Sequence, residues 1–211
     1  MATSVEQIEQ LQSSLVVSEE YEPQIRLITV ENYDKMVEVG IYDENDRIEL
    51  LNGVILNMGP KNDPHCSATD RAMKHFILSL SDRVIVRNQN PIVIDNLSEP
   101  EPDIVLAAPD EMEYSTRTPT PADILLIMEV SDTTVSFDRK VKGAAYAKAG
   151  IIQYVLLNLK RRELEDYREP SEDGYRSKQT YSAEQSFSLV AFPEISVKVG
   201  DLLPPKRKDA A

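Results

Sequence analysis

The chain has 211 residues, of which 41% are hydrophobic and 28% charged, a composition typical of a globular domain and not of a disordered segment. It contains no apolar run of the roughly 18 residues that a membrane-spanning helix needs. The formal net charge of −13 argues against broad affinity for nucleic acid, since such binding needs a surplus of Lys and Arg against phosphate.

The N-terminus and the cysteine content indicate where the protein resides. The first 15 residues have neither a basic start nor an apolar stretch, so we expect no signal peptide. Cys66 is the single cysteine of the sequence and cannot form an internal disulfide. A reducing cytoplasm is the simplest location for such a chain.

We predict an N-terminal helical appendage at residues 1–22, one domain at 23–204 and a loose polar tail at 205–211. Apolar residues in the appendage recur at helical spacing, which predicts a short amphipathic helix. These residues are Val5, Ile8, Leu11 and Leu15. Their apolar face is the reason to expect a homo-oligomer.

The first half of the domain carries three local signals. Thr29 predicts the N-cap of a helix that ends near Val39. Residues 47–58 predict a hairpin around Asn52-Gly53, the strongest short-range hairpin signal. Asp63 and Pro64 predict the start of a longer helix. The apolar face of that helix is predicted to consist of Ala68, Met73, Phe76, Ile77 and Leu80.

Strands dominate the rest of the domain. One helix is predicted at 138–150, with Gly150 as its C-cap. The predicted strands lie at 83–94, 103–108, 124–130, in a pair within 152–168, and around 175–181 and 187–198, with a turn at 171–174. Residues 109–123 contain three prolines and predict a surface loop that could cover a site. This order predicts an α/β fold, in the form of a mixed sheet flanked by helices.

Carboxylates stand at the ends of two predicted core strands. Asp103 begins an apolar strand, and Glu129 follows the apolar run 124–128. If the strands are neighbours, the two carboxylates lie close together and repel each other unless a cation binds between them. Mg²⁺ is bound in this way, by one or two carboxylates with water and phosphate oxygens. The alternative is that Asp103 caps a turn and Glu129 bonds to backbone outside the core.

A lysine follows these carboxylates in the sequence. Lys142 lies 13 residues after Glu129, in the predicted helix, and Tyr146 is one turn further along the same face. Packing of this helix on the sheet would bring Lys142 over the strand end, where an ammonium group can orient a water molecule and offset charge on phosphate. The alternative is that Lys142 is one of several solvated lysines.

The order of these motifs resembles the Uma-type family of "putative restriction endonucleases", within the PD-(D/E)xK nuclease superfamily. The resemblance rests on short motifs spread from about Leu27 to Leu203. They are 49-ELLNG-53, 64-PH-65, 89-QNP-91, 102-PD-103, 129-EVS-131, Lys142 and 146-YAKAG-150. Each motif is weak alone, and their order and spacing are more specific.

The resemblance implies a restriction-endonuclease-like core and metal-dependent hydrolysis of phosphodiester bonds in DNA. Asp103 and Glu129 would hold Mg²⁺ or Mn²⁺, and Lys142 would be the catalytic lysine, moved to the helix from the strand position of Ser131. Glu49 matches a further acidic position of the site. Gln89, His65 and Tyr146 are candidates for contact with these residues. Nucleases of this superfamily often dimerise, which agrees with a homo-oligomer.

The segment after Gly150 departs from the family pattern. Family members carry acidic residues where this chain has Gln153 and Asn158. If Gln153 faces the site, a carboxylate that orients the lysine or the metal is missing. The sequence therefore leaves a second hypothesis open, a catalytically impaired member that acts as a binding or scaffold protein.

Charge distribution bears on both hypotheses. Residues 138–162 contain seven basic residues and one acidic residue, in contrast to the acidic whole. Such a strip can face phosphate. It can equally be a solvated surface, as runs of charge usually are.

Overall fold

The structure is a computed structural model, and it describes residues 25–43 and 45–206. The helix predicted within residues 1–22 and most of the predicted tail lie outside these ranges. In the described ranges no helix is long and apolar enough to cross a membrane. The described residues form two compact units, residues 25–43 and 45–60 with 95–100, and residues 61–94 with 101–206.

The first unit contains a helix, a hairpin and the 95–100 segment. Helix α1 (Val30–Glu38) begins at Thr29, whose hydroxyl accepts the Asn32 amide at 3.3 Å, as the sequence predicts. Strands β1 (Ile48–Leu51) and β2 (Val54–Asn57) form an antiparallel hairpin. Its turn residues Asn52 and Gly53 both have positive φ, 52° and 76°, which explains why this pair is suited to the turn.

The small core of the first unit lies between α1 and the hairpin. Tyr33, Ile48 and Leu50 are buried together there. The 95–100 segment pairs with β1 through two main-chain hydrogen bonds between Leu50 and Glu99, of 3.3 and 2.8 Å. A strand-like contact between residues about 50 positions apart is beyond what local sequence patterns predict.

In its described part, the second unit is built on a six-stranded mixed sheet of order β3-β4-β5-β6-β7-β8. Its strands are β3 (Ile85–Asn88), β4 (Ile104–Ala107), β5 (Ile124–Ser131), β6 (Gln153–Asn158), β7 (Glu163–Ser171) and β8 (Gly174–Ser182). Strands β5 and β6 are parallel, and the other neighbours are antiparallel. This confirms the predicted mixed sheet.

One face of this sheet carries the main hydrophobic core. Helix α2 (Asp63–Leu80) packs there with Ala68, Ala72 and Phe76, and Met128 and Val130 of β5 point into the same core. The short strands β9 (Ser186–Ser188) and β10 (Ser196–Lys198) and helix α5 (Val199–Leu202) complete this layer.

Helical residues 135–148 contact the strands from the opposite face. They consist of α3 (Val135–Phe137), a π-helical segment (Asp138–Lys142) and α4 (Gly143–Lys148), which follow each other without a break. We refer to them as the 135–148 helix. Its fully buried Tyr146 packs edge-on against Tyr154 of β6, with ring centroids 5.3 Å apart. The parallel β5–β6 pair needs such a crossover, because a short turn cannot join parallel strands.

Some local predictions differ from the structure. Ile77 was predicted on the buried face of α2 but is 48% exposed, whereas Thr69 and Ala72 are buried. The strand predicted at 83–94 ends at Asn88, since Pro91 cannot continue a ladder of main-chain hydrogen bonds. The strand predicted at 187–198 is two short strands that pair with each other, β9 and β10.

Candidate active site

The strand register places Asp103 and Glu129 opposite each other. Ile104 of β4 pairs with Met128 of β5, so Asp103 and Glu129 form the next cross-strand pair. Because side chains alternate along a strand, Met128 and Val130 enter the main core while Glu129 points to the face of the 135–148 helix. Both carboxylates are buried.

Hydrogen bonds hold the two carboxylates against each other's strand. Asp103 Oδ2 accepts the Val130 amide at 2.8 Å, and Glu129 Oε2 accepts the Asp103 amide at 3.3 Å. Main-chain donors therefore fix an oxygen of each side chain. This reciprocal arrangement makes the pair rigid, as a binding site on strands requires.

The Asp103 carboxylate also accepts two side-chain hydrogen bonds. The Gln89 amide donates to Oδ1 at 2.9 Å, and His65 Nε2 lies 3.1 Å from Oδ2. Burial raises the pKa of Asp103, but the hydrogen bonds it accepts, led by that of His65, outweigh burial and leave this pKa below its ordinary value. Asp103 is therefore ionised at neutral pH.

The Glu129 carboxylate is contacted from the 135–148 helix. Lys142 Nζ donates to Oε1 at 3.1 Å, and the Tyr146 hydroxyl donates to the same oxygen at 2.9 Å. All three side chains are buried. The predicted placement of Lys142 over the strand end, with Tyr146 on the same face, agrees with the structure.

Lys142 is the last residue of the π-helical segment. A π turn inside an α-helix is uncommon and often occurs at functional sites, because it redirects the side chains around it. The helix begins at Val135, three residues before the predicted start at Asp138. Residues Ser131 to Asp138 thus form a short link from the end of β5 to the segment that carries Lys142.

Gln89 adopts an uncommon backbone conformation beside the site. Its φ of 51° lies in the left-handed region, which a non-glycine residue seldom adopts. Its side-chain oxygen accepts a hydrogen bond from Lys61, a residue that the sequence reasoning did not single out. A strained residue that contacts a buried carboxylate is typical of a functional site.

The remaining predicted site residue, Glu49, belongs to the first unit. It is buried on β1, where it pairs across the hairpin with Leu56. Asp103, Glu129 and Lys142 all belong to the second unit. The participation of Glu49 in the site stays a prediction.

Gln153 does not face the site. Its side chain donates to Asp166 Oδ1 at 3.0 Å and to the Ser188 carbonyl at 3.1 Å, and it accepts the Val190 amide at 2.8 Å. These partners lie on the main-core face of the sheet, opposite to Glu129. The amide at position 153 therefore removes no carboxylate from the neighbourhood of Lys142.

The basic strip of residues 138–162 is partly neutralised. Arg139 forms a bidentate ion pair with Glu165 at 2.6 and 2.9 Å, and Arg161 lies 3.5 Å from Glu163. A cavity of about 270 Å³ is lined by Arg139, Lys160 and Arg161, together with Asp132, Thr133, Val135 and Asn158. Two of the seven basic residues of the strip are thus paired with carboxylates, and the cavity is lined by three basic residues and one acidic residue.

The donor atoms at the site are suited to a hard cation. Within residues 25–43 and 45–206, no group of three or more His, Cys, Asp or Glu side chains is arranged to hold a metal ion. The ligands implied by the resemblance, Asp103 and Glu129, are a pair of carboxylates and not such a group. Mg²⁺ is commonly bound by one or two protein carboxylates, with water and phosphate oxygens in the other positions, so the pair fits Mg²⁺ or Mn²⁺.

Comparison with known proteins identifies the family and the fold. The model of the Uma2 family, described as "Putative restriction endonuclease", matches residues 30–200. The chain belongs to this family. No curated protein matches the chain.

A solved structure shows the same fold. The crystal structure of a "putative nuclease belonging to DUF820" from Anabaena variabilis matches with a TM-score of 0.66 and 13% sequence identity. The match covers 83% of this chain and 97% of the other. At this identity the likeness concerns the fold, and it confirms the nuclease-like architecture expected from the sequence.

Sequence reasoning missed one buried charged residue next to the family's lysine. Asp138 was noted only as the predicted start of the helix and as the acidic residue of the basic strip, yet it is buried in the π-helical segment. Its position four residues before Lys142 is the signal that could have drawn attention to it.

Proposed function

We propose that the protein is a metal-dependent endonuclease that hydrolyses phosphodiester bonds in DNA. The observation that carries this proposal is the pair of buried strand-end carboxylates, Asp103 and Glu129, with Lys142 bonded to one of them. Membership of a family described as restriction endonucleases supports the class of reaction and DNA as the substrate.

The residues of the site would have different roles in this reaction. Asp103 and Glu129 would hold Mg²⁺ or Mn²⁺, which when bound supplies positive charge against the phosphate and lowers the pKa of a water molecule. Lys142 presents its ammonium group beside Glu129, where it can donate to the attacking water and to a phosphate oxygen. Tyr146 holds the Glu129 carboxylate from the helix side.

Gln89 and His65 would orient Asp103. Gln89 donates to Oδ1 of that carboxylate and His65 bonds with Oδ2, so the plane of the carboxylate is fixed. Residues that hold a metal ligand in one orientation commonly change metal affinity about 10- to 100-fold when they are mutated. Both residues are therefore positioning residues in this proposal.

The test is a plasmid-nicking assay together with calorimetry of Mg²⁺ and Mn²⁺ binding. Wild-type protein should nick supercoiled DNA with metal and not with excess chelator. Glu129→Gln should lose both metal binding and nicking, whereas Lys142→Ala should retain metal binding and lose nicking. Asp173→Asn, which removes a carboxylate from the exposed turn between β7 and β8, serves as the matched control.

The outcomes separate the two functional hypotheses. Metal binding without cleavage of DNA or RNA would identify an impaired family member that acts by binding. Absence of binding at millimolar concentrations of Mg²⁺ and Mn²⁺ would contradict the proposed metal dependence. Cleavage of RNA alone would retain the chemistry and change the substrate.

We also propose that the protein is a homo-oligomer, on the basis of the predicted amphipathic segment in residues 1–22. Light scattering on the full chain and on a chain that lacks these residues tests this. An unchanged mass would exclude this segment as the cause of assembly.

A further inference from the structure

Asp138 is held by hydroxyl groups at the end of strand β5. The Thr134 hydroxyl donates to Asp138 Oδ2 at 2.7 Å, and the Ser131 and Thr134 hydroxyl oxygens lie 3.2 Å apart. Ser131 occupies the strand position from which the superfamily's lysine has moved. Ser131 is thus connected through Thr134 to Asp138, the first residue of the π-helical segment that contains Lys142.

The main chain of Asp138 is fixed as well. Its carbonyl oxygen accepts the Gly143 amide, which closes the π turn, and the Tyr154 hydroxyl at 3.1 Å. A Cβ atom at Gly143 would lie 3.2 Å from the Tyr154 ring, so helix and strand are in close contact at this point. The π turn is therefore anchored at Asp138 through both side chain and main chain.

The charges around Asp138 connect it to Lys142. Burial raises the pKa of Asp138, and the positive charge of Lys142 is the strongest effect that opposes burial, ahead of the Thr134 and Ser131 hydroxyls. The negative charge of Asp103 adds to the rise, and the net pKa is above its ordinary value. A carboxyl with a raised folded-state pKa lowers stability once the pH exceeds its unfolded pKa.

Asp138 is therefore a costly residue for the fold, and the structure points to a compensating role at the site. We propose that Asp138 is a positioning residue for Lys142, because its carboxylate is bonded by Thr134 one helical turn before the lysine and its carbonyl closes the π turn that contains Lys142. The inference rests on the proposed function for its catalytic consequence. Its structural part, that Asp138 restrains the Lys142 ammonium group, does not depend on catalytic activity.

The first experiment observes the ammonium directly in the full-length protein. NMR spectra of ¹⁵N-lysine-labelled protein should show a slowly exchanging Lys142 ammonium signal, identified by its loss in Lys142→Arg. Asp138→Asn should broaden or remove this signal. Asp132→Asn, which removes a carboxylate from the link between β5 and the helix, should leave it unchanged, because Asp132 accepts a hydrogen bond from Asn62 instead.

The second experiment uses the nicking assay with Mg²⁺. Asp138→Asn should lower kcat about 10-fold or more with little change in KM or in metal affinity, since it acts on the lysine and not on binding. In a Lys142→Ala background the same substitution should have no further effect, because residues that act as one unit are not additive. Thermal unfolding should show that Asp138→Asn is at least as stable as wild type at neutral pH.

Each result decides the proposal. An unchanged Lys142 signal in Asp138→Asn, or no protected signal in the wild type, would overturn it. Equal loss of activity in both backgrounds, together with a lower Tm, would reassign Asp138 to the stability of the helix. If the wild type cleaves nothing, the proposed function fails while the NMR comparison still decides the role of Asp138.

Discussion

Two basic side chains of the 135–148 helix, Arg139 and Lys142, pair with buried carboxylates on the same face of the sheet. The charges around these two carboxylates differ. Arg139 and Lys178 both pair with the buried Glu165 on β7, at 2.6 and 3.0 Å. Lys142 pairs with Glu129 on β5, where Asp103 and Asp138 are also buried. We call the first group the balanced cluster because its one carboxylate is fully paired, by two cations. The site has three buried carboxylates, of which Glu129 is paired with Lys142.

The difference is visible in the pKa values. Burial raises the pKa of Glu165, but hydrogen bonds from Arg139, Tyr167 and Lys178 outweigh it and bring this pKa to about 2. At the site the pKa of Asp103 is also lowered, by hydrogen bonds from His65, Gln89 and Val130, but the pKa of Asp138 is raised. A buried group whose charges are matched by protein stabilises the fold, whereas an excess of buried negative charge is suited to a bound cation. Charge balance therefore separates a structural cluster from a candidate site on one sheet.

The largest expected effect compares the two lysines. Lys142→Ala should reduce metal-dependent nicking by about 100- to 1000-fold, the usual cost of removing a group that stabilises transition-state charge. Lys178→Ala should leave nicking nearly unchanged, because it pairs with Glu165. Initial rates at saturating DNA and metal would measure this. Similar losses of nicking rate in Lys142→Ala and Lys178→Ala would contradict the distinction between the site and the balanced cluster.

Gln153→Glu tests the family residue that this chain lacks. The new carboxylate would lie against the buried Asp166 and the Ser188 carbonyl, so we expect a loss of about 3 kcal/mol in the free energy of unfolding. Activity per folded molecule should not rise, because Gln153 faces away from Lys142. Urea unfolding and nicking rates measure the two effects, and a gain in rate would show that position 153 communicates with the site.

Glu165→Gln tests the balanced cluster. The lowered pKa of Glu165 predicts a loss of about 2–3 kcal/mol in the free energy of unfolding at neutral pH. Since the folded pKa lies below the unfolded one, this contribution is present above about pH 4.5 and disappears as the pH falls toward 2. Urea unfolding of both proteins across this range should show converging stabilities, and a constant difference would contradict the assignment.

The smallest expected effect is stabilisation by the metal. Mg²⁺ at 10 times its Kd should stabilise the folded protein by about 1.4 kcal/mol through mass action. Asp103→Asn should abolish this increase while retaining the fold, and Glu165→Gln should keep the full increase. Thermal scans with and without Mg²⁺ measure it. A rise in Tm that survives Asp103→Asn would place the cation elsewhere.

Local patterns predicted much of the fold because the interactions behind them are local. The Thr29 cap, the Asn52-Gly53 turn and the alternation around Glu129 each depend on a few neighbouring residues. Ile77 was misplaced because helical spacing gives a face but not its width, and the packing of α2 on the sheet buries Thr69 and Ala72 instead.

The sequence by itself determined the mixed sheet, the two strand-end carboxylates and the helix that carries Lys142, since periodicity and spacing are properties of the chain. Tertiary structure alone decided that Asp103 lies opposite Glu129, that Gln153 faces the other side, and that Asp138 is buried in the π-helical segment. These depend on register and on a π turn. A shift of one residue along a strand, or one extra residue in a helical turn, changes which face a side chain occupies without changing the pattern that predicts the element.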